Sequence, residues 1–242
     1  MLVVDVDDIA EPDNNHHRRS YSILSRFDSS PLNITMKFQA STALMGLAAA
    51  VVSAQETQSP PFTLHIKGTN ANSELDGYAI SCHAGAAIEG ICYVEGVADA
   101  SNSNTYFFNY TGYNQVGDDQ VGTLIWNEPY TDENGNPASA EQTMGLNYQP
   151  NSNVAAPMFG FSQGTFLVGF DSEGELFGYD YIDDSKFVAG QPPTDYTAKA
   201  YYQWAVCWQY FTGYYYQSVA WVQNGAPHNP TCEPVEITKV DL

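Results

Sequence analysis

The densest run of side chains able to do chemistry in this sequence is aromatic. Between Tyr201 and Trp221 there are ten aromatic residues in 21 positions. Read as a strand, alternation puts Tyr202, Trp204, Val206, Trp208 and Tyr210 on one face, and Gln203, Ala205, Cys207 and Gln209 on the other. Exposed tryptophan and tyrosine rings offer flat apolar faces rimmed by hydrogen-bonding groups, which is what a sugar ring also offers. Tyr202, Trp204, Trp208 and Tyr210 are therefore candidate ligand-binding residues, for a glycan or an extracellular protein. The competing reading is a core stripe, because each ring buries a large apolar area. The two readings differ in whether the rings face solvent.

Carboxylates are the next candidates. The chain has 28 Asp and Glu against 8 Lys and Arg, a formal charge of −20. Glycoside hydrolysis needs two carboxyl groups, one as acid and one as base or nucleophile. Glu128, Asp180, Asp183 and Asp184 are the ones nearest aromatics in sequence, although close pairs arise by chance in so acidic a chain. Asp132-Glu133-Asn134-Gly135-Asn136 starts like a calcium loop, then places Pro137 where the loop needs glycine and Thr143 where it needs glutamate. An Asn-Gly turn reads better, and the sequence implies no metal and no cofactor. His83, beside Cys82, reads as a structural group. No catalytic residue is assigned. The charge excludes nucleic acid and anionic membrane surfaces as partners. Tyr181-Ile182-Asp183-Asp184, a polymerase-like tetrapeptide, is thus read as coincidence.

The compartment follows from residues 36–54. Met36-Lys37-Phe38 precedes an apolar stretch from Ala40 to Val52, and Val52-Ser53-Ala54 is a small-x-small cleavage pattern. That is a secretory signal peptide, too short to span a bilayer. Residues 1–35, polar and without periodicity, read as an extension from a mis-set start, with Met36 the true initiator. Residues 55–61 form a polar lead-in, and 62–242 a single domain. The chain from Gln55 onward has 188 residues, 22 acidic and 4 basic, all four lysines: Lys67, Lys186, Lys199 and Lys239. Without arginine, no guanidinium clamp is available for phosphate or carboxylate. Cys82, Cys92, Cys207 and Cys232 imply disulfides in a secreted chain. Of three pairings, Cys82–Cys92 and Cys207–Cys232 are favoured because each closes a short local loop. Zinc is disfavoured by the lack of C-x-x-C spacing. Asn109-Tyr110-Thr111 is a glycosylation sequon.

The elements that must position these residues read as all-β. Short β-rich runs separated by turns recur at Phe62–Lys67, Tyr78–Cys82, Ile91–Val94, Tyr106–Tyr110, Gly122–Trp126, Met144–Tyr148, Met158–Phe161, Phe166–Phe170, Glu175–Tyr181, Gln203–Tyr210, Tyr215–Val222 and Val235–Val240. Asp76-Gly77, Asn134-Gly135 and Asn224-Gly225 are turn dipeptides. One short helical turn is expected at His83–Glu89. About twelve strands suit a β-trefoil or a β-sandwich. Gly77, Gly122 and Gly174, 45 and 52 residues apart, favour the trefoil.

The block Ser81-Cys82-His83-Ala84-Gly85-Ala86-Ala87-Ile88-Glu89, with Cys92 following, resembles a family of small secreted ascomycete fungal proteins without assigned activity. Gly122-Thr123-Leu124-Ile125-Trp126, Ser152-Asn153-Val154-Ala155, Val168-Gly169-Phe170-Asp171 and Asp183-Asp184 are similar too. So are Gln203-Trp204-Ala205-Val206-Cys207 and Asn229-Pro230-Thr231-Cys232. The resemblance implies secretion by a filamentous fungus and local disulfides, and it transfers no catalytic residue. The expected function is non-enzymatic binding, effector-like, at a cell wall, glycan or host surface. The alternatives are a carboxylate-dependent glycoside hydrolase and an inert surface protein.

Overall fold

In the computed structural model, residues 56–96, 105–160 and 164–242 are described. The expected extension, the signal peptide and Gln55 lie outside them. The described chain forms fourteen strands: β1 Thr57–Gln58, β2 Phe62–Gly68, β3 Asp76–Gly85, β4 Ile88–Glu95, β5 Tyr106–Val116, β6 Asp119–Thr131, β7 Pro137–Asn147, β8 Val154–Phe159, β9 Leu167–Phe170, β10 Leu176–Asp180, β11 Lys199–Tyr201, β12 Trp204–Phe211, β13 Tyr214–Val222 and β14 Glu233–Asp241. Each of the twelve expected runs overlaps a strand, and Phe161, the end of one of them, lies outside the described residues. The two others, β1 and β11, are two and three residues long, too short to leave a pattern.

His83–Glu89 is not helical. β3 continues to Gly85 and β4 starts at Ile88, so Ala86 and Ala87 turn a hairpin. Alanine-rich composition suggested helix, but pairing along the whole length of both strands overrides that weak local preference. Ala87 sits at φ 52°, the left-handed region that a tight reversal requires. The one 3-10 turn among the described residues is Asp184–Lys186, capped by the Asp183 carboxylate accepting from the Ser185 N–H.

Every pairing is antiparallel within one sheet, and the pairings close on themselves. β2 pairs β3, β3 pairs β4, β4 pairs β8, and β8, β7, β6 and β5 follow in turn until β5 pairs β2 again. A second route from β2 runs through β14, β12 and β13 to β4 and β8. β9, β10 and β11 extend from β6. Closure removes most of the unpaired edge that would otherwise invite association.

The main core is enclosed by these routes. Phe62, Leu64 and Ile66 of β2 meet Tyr106, Leu124, Trp126, Phe159, Leu176 and Ile237. Tyr106 is fully buried against Phe159, its hydroxyl has no hydrogen-bond partner among the described residues, and burial pushes its ionisation far upward. The three glycines that suggested a repeat do two different jobs. A Cβ on Gly77 would lie 2.1 Å from the Val94 carbonyl oxygen, and one on Gly122 2.0 Å from that of Asn109. Gly174 instead occupies a turn at φ 81°.

Candidate functional site: an aromatic ledge on the β12–β13 hairpin

β12 and β13 are in register from Trp204↔Trp221 to Phe211↔Tyr214, joined by Thr212 and Gly213, both at positive φ. Two left-handed residues give the turn whose twist matches that of the strands it joins. The aromatic stripe splits along this hairpin. Trp204 is 3 % exposed and belongs to the core with Val206. Its ring meets Trp221 edge-on at 4.8 Å, and its indole N–H donates to the Leu176 carbonyl at 2.8 Å. The expectation that Trp204 lies on an open face with its neighbours does not hold, because the sheet's core begins at its end of the strand.

Further along the same face, Trp208 is 43 % exposed, Tyr210 65 % and Tyr215 59 %. Trp208 and Tyr215 stack with ring centres 5.2 Å apart and planes 28° from parallel. Tyr215 lies directly across from Tyr210. The burial changes because the neighbouring strands stop. β14 pairs β12 only at Ala205 and Val206. Past that point the Trp208 backbone is held by side chains: its N–H donates to Thr231 Oγ1, and its carbonyl accepts from Asn229 Nδ2. Past Val206 this face of the hairpin is therefore uncovered, while the tip stays anchored by buried Phe211 and by the Thr212 hydroxyl donating to the Ala84 carbonyl.

Tyr202 is elsewhere. It lines a cleft of about 230 Å³ with Pro227 and Pro234, and its hydroxyl donates to Asp171 Oδ2 at 2.9 Å. Burial, then the Asp171 carboxylate, pushes its ionisation upward. The ledge thus unites two of the four candidates, Trp208 and Tyr210, with Tyr215. Tyr215 stood in the same aromatic run, but only strand register reveals that it faces Tyr210. Beside the ledge is a cleft of about 200 Å³, lined by Trp208, Gln209 and Tyr210 of β12 and by Asn147, Gln149 and Asn229. On the opposite face of the tip, Tyr214 and Tyr216 stack at 5.8 Å, with His83 edge-on to Tyr214.

Three of the four candidate carboxylates are engaged by other groups. Glu128 accepts from Gln142 Nε2 at 3.0 Å. Asp180 caps the N–H groups of Tyr181 and Ile182. Asp183 is held below its ordinary value by hydrogen bonds from Ser185 and by Lys199 and Lys186, whereas a general acid must be raised. Asp119 and Glu175 are raised, by partial burial and by the neighbouring acids Asp171 and Glu173. Asp171 itself serves as a turn cap, accepting from the N–H groups of Glu173 and Glu175. Asp132 does the same for Asn134 and Asn136, so the calcium-like loop is a turn. Among the described residues, no group of three or more His, Cys, Asp or Glu is gathered as metal ligands.

Both disulfides pair as the local spacing suggested: Cys82–Cys92 joins β3 to β4, and Cys207–Cys232 ties β12 to the segment before β14. The sequon residue Asn109 is only 6 % exposed, and its Oδ1 accepts from Gln58 of β1 at 2.9 Å. A glycan on that amide would have to displace β1.

Comparison with known families matches residues 59–241 to a domain of unknown function, DUF7907. The chain belongs to this family. The DUF7907 match takes in both disulfides, the hairpin and every strand except β1, which precedes it. No curated protein and no solved structure matches the chain.

Proposed function

We propose that this DUF7907 protein is a secreted, non-enzymatic binding protein that engages a glycan at a cell wall or host surface through the Trp208–Tyr210–Tyr215 ledge. The observation that carries this reading is the stack of Trp208 on Tyr215, both rings open to solvent. Large rings left uncovered on a soluble chain forgo burial that would stabilise it, and such clusters mark recognition surfaces. Two disulfides are compatible with an oxidising compartment, and no helix among the described residues is long and apolar enough to cross a membrane. The resemblance to secreted ascomycete proteins supports the same location. With a formal charge of −20, affinity has to come from stacking and neutral hydrogen bonds, unless the partner is cationic.

Retention on cellulose, chitin and β-glucan, together with a glycan array, tests the proposal. The protein and a Tyr113→Ala control, an exposed tyrosine away from the ledge, should be retained on at least one of them. Trp208→Ala and Tyr215→Ala should wash off. No retention by any form, or equal retention by all, would overturn it.

A further inference from the structure

One end of the main core opens into a cleft that shares no lining residue with the ledge or with the cleft beside it. Core-facing rows of four strands run out into it. Tyr110 follows Tyr106 and Phe108 on β5, and Gln120 precedes Leu124 and Trp126 on β6. Phe170 follows Val168 on β9, and Lys239 follows Val235 and Ile237 on β14. Thr57–Pro60, which includes β1, forms the remaining wall. The cleft measures about 480 Å³. That lies within the ~300–1,000 Å³ of small-molecule sites, which recur at the mouths of closed sheets. Aromatic rings make its floor: Phe108 stacks on Tyr110 at 5.5 Å and meets Phe170 edge-on at 5.5 Å. Its polar groups are unequally engaged. Ser59 Oγ accepts from the Phe108 N–H and donates to the Pro60 carbonyl. Lys239 Nζ is paired with Asp241 at 3.0 Å. Gln120 Oε1, in contrast, is buried and has no hydrogen-bond partner among the described residues. Native structures rarely leave a buried acceptor unpaired, because its desolvation then goes uncompensated.

We infer that this cleft binds a small aromatic molecule bearing a hydroxyl group, whose O–H donates to Gln120 Oε1 while its ring packs among Phe108, Tyr110 and Phe170. The site is separate from the ledge and does not depend on glycan binding there. The amide oxygen can only accept, so the ligand must supply a donor. The flanking rings favour a ring in return, since stacked and edge-on pairs add to the gain from buried area. Asp118 and Asp119, where β6 begins, also line the cleft. Neither has a buried oxygen without a partner, so Gln120 is the acceptor that gains most from a ligand.

Fluorescence titration with 2-naphthol, against 2-methoxynaphthalene, tests the inference. The two probes share a ring system, but only the first can donate. The naphthol should bind saturably, about fivefold or more tighter than the methoxy compound. Gln120→Leu should erase that preference, weakening the naphthol about fivefold and leaving the methoxy compound unchanged. The unfolding midpoint of Gln120→Leu should not fall, since Oε1 has no hydrogen bond to lose. Trp208→Ala should bind the naphthol as the parent chain does. No saturable binding, equal binding of the two probes, or an unaffected Gln120→Leu variant would overturn the inference. So would loss of the naphthol from Trp208→Ala, which would put the ring on the ledge instead.

Discussion

Trp204 and Trp208 lie four residues apart on one face of one strand, and the structure assigns them opposite roles. Trp204→Ala removes a side chain buried on all sides, which in protein cores costs about 3–5 kcal/mol. Two features push towards the upper end. The Leu176 carbonyl loses its indole donor, about 1 kcal/mol or more when buried. The edge contacts with Trp221 and Phe166 are lost as well, at about 0.5–1.5 kcal/mol for such a pair. For a domain of this size the drop in Tm should be roughly 6–20 °C. Trp208→Ala leaves both backbone hydrogen bonds of residue 208 in place and should cost under about 1 kcal/mol. Urea unfolding followed by circular dichroism, with disulfides intact, measures both. Fluorescence gives a second readout: Trp126, Trp204 and Trp221 are buried, so Trp208 alone of the four tryptophans is open. Trp208→Phe should shift emission to the blue and abolish most iodide quenching. Equal stability costs, or quenching unchanged in Trp208→Phe, would mean that the hairpin is packed along its whole length and has no ledge.

Replacing Cys207 and Cys232 together should cost more than replacing Cys82 and Cys92. With separations of 25 and 10 residues, loop-closure entropy gives about 3.5 and about 2.7 kcal/mol, readable from urea midpoints. Asp119→Asn and Glu175→Gln should each raise Tm at neutral pH. Their raised pKa values mean that the native state holds protons the unfolded chain has released, so stability falls as pH rises through those values. The gain should fade once both states are protonated, below about pH 4; a gain independent of pH would refute the assignment. Peptide-N-glycosidase F should leave the intact mass of the folded protein unchanged, because Asn109 is buried under β1. A mass loss of one glycan would show that β1 yields to it.

The class and the strands were legible because they are local. Alternation and Asn-Gly or Asp-Gly turns marked all twelve longer runs. The closing pairs were not, since Phe62 meets Asp241 across nearly the whole domain and no neighbouring residues encode that meeting. The same limit applies to the site. Composition picked out Tyr201–Trp221, and the face followed from alternation. Where that face passes from core to solvent depends on β14 ending its pairing at Val206, a tertiary fact.

The seven-residue register between β2 and β14 sets a schedule for the newborn chain. Among the described residues, β2 is the first long strand to be synthesised and its partner β14 the last. At about 5–20 residues per second, some 180 residues separate them by roughly 10–35 s. During that interval Phe62, Leu64 and Ile66, all buried in the finished domain, have one flank without its strand. Native closure therefore waits for β14 to be made, and a chain truncated before β14 keeps that sticky flank permanently open.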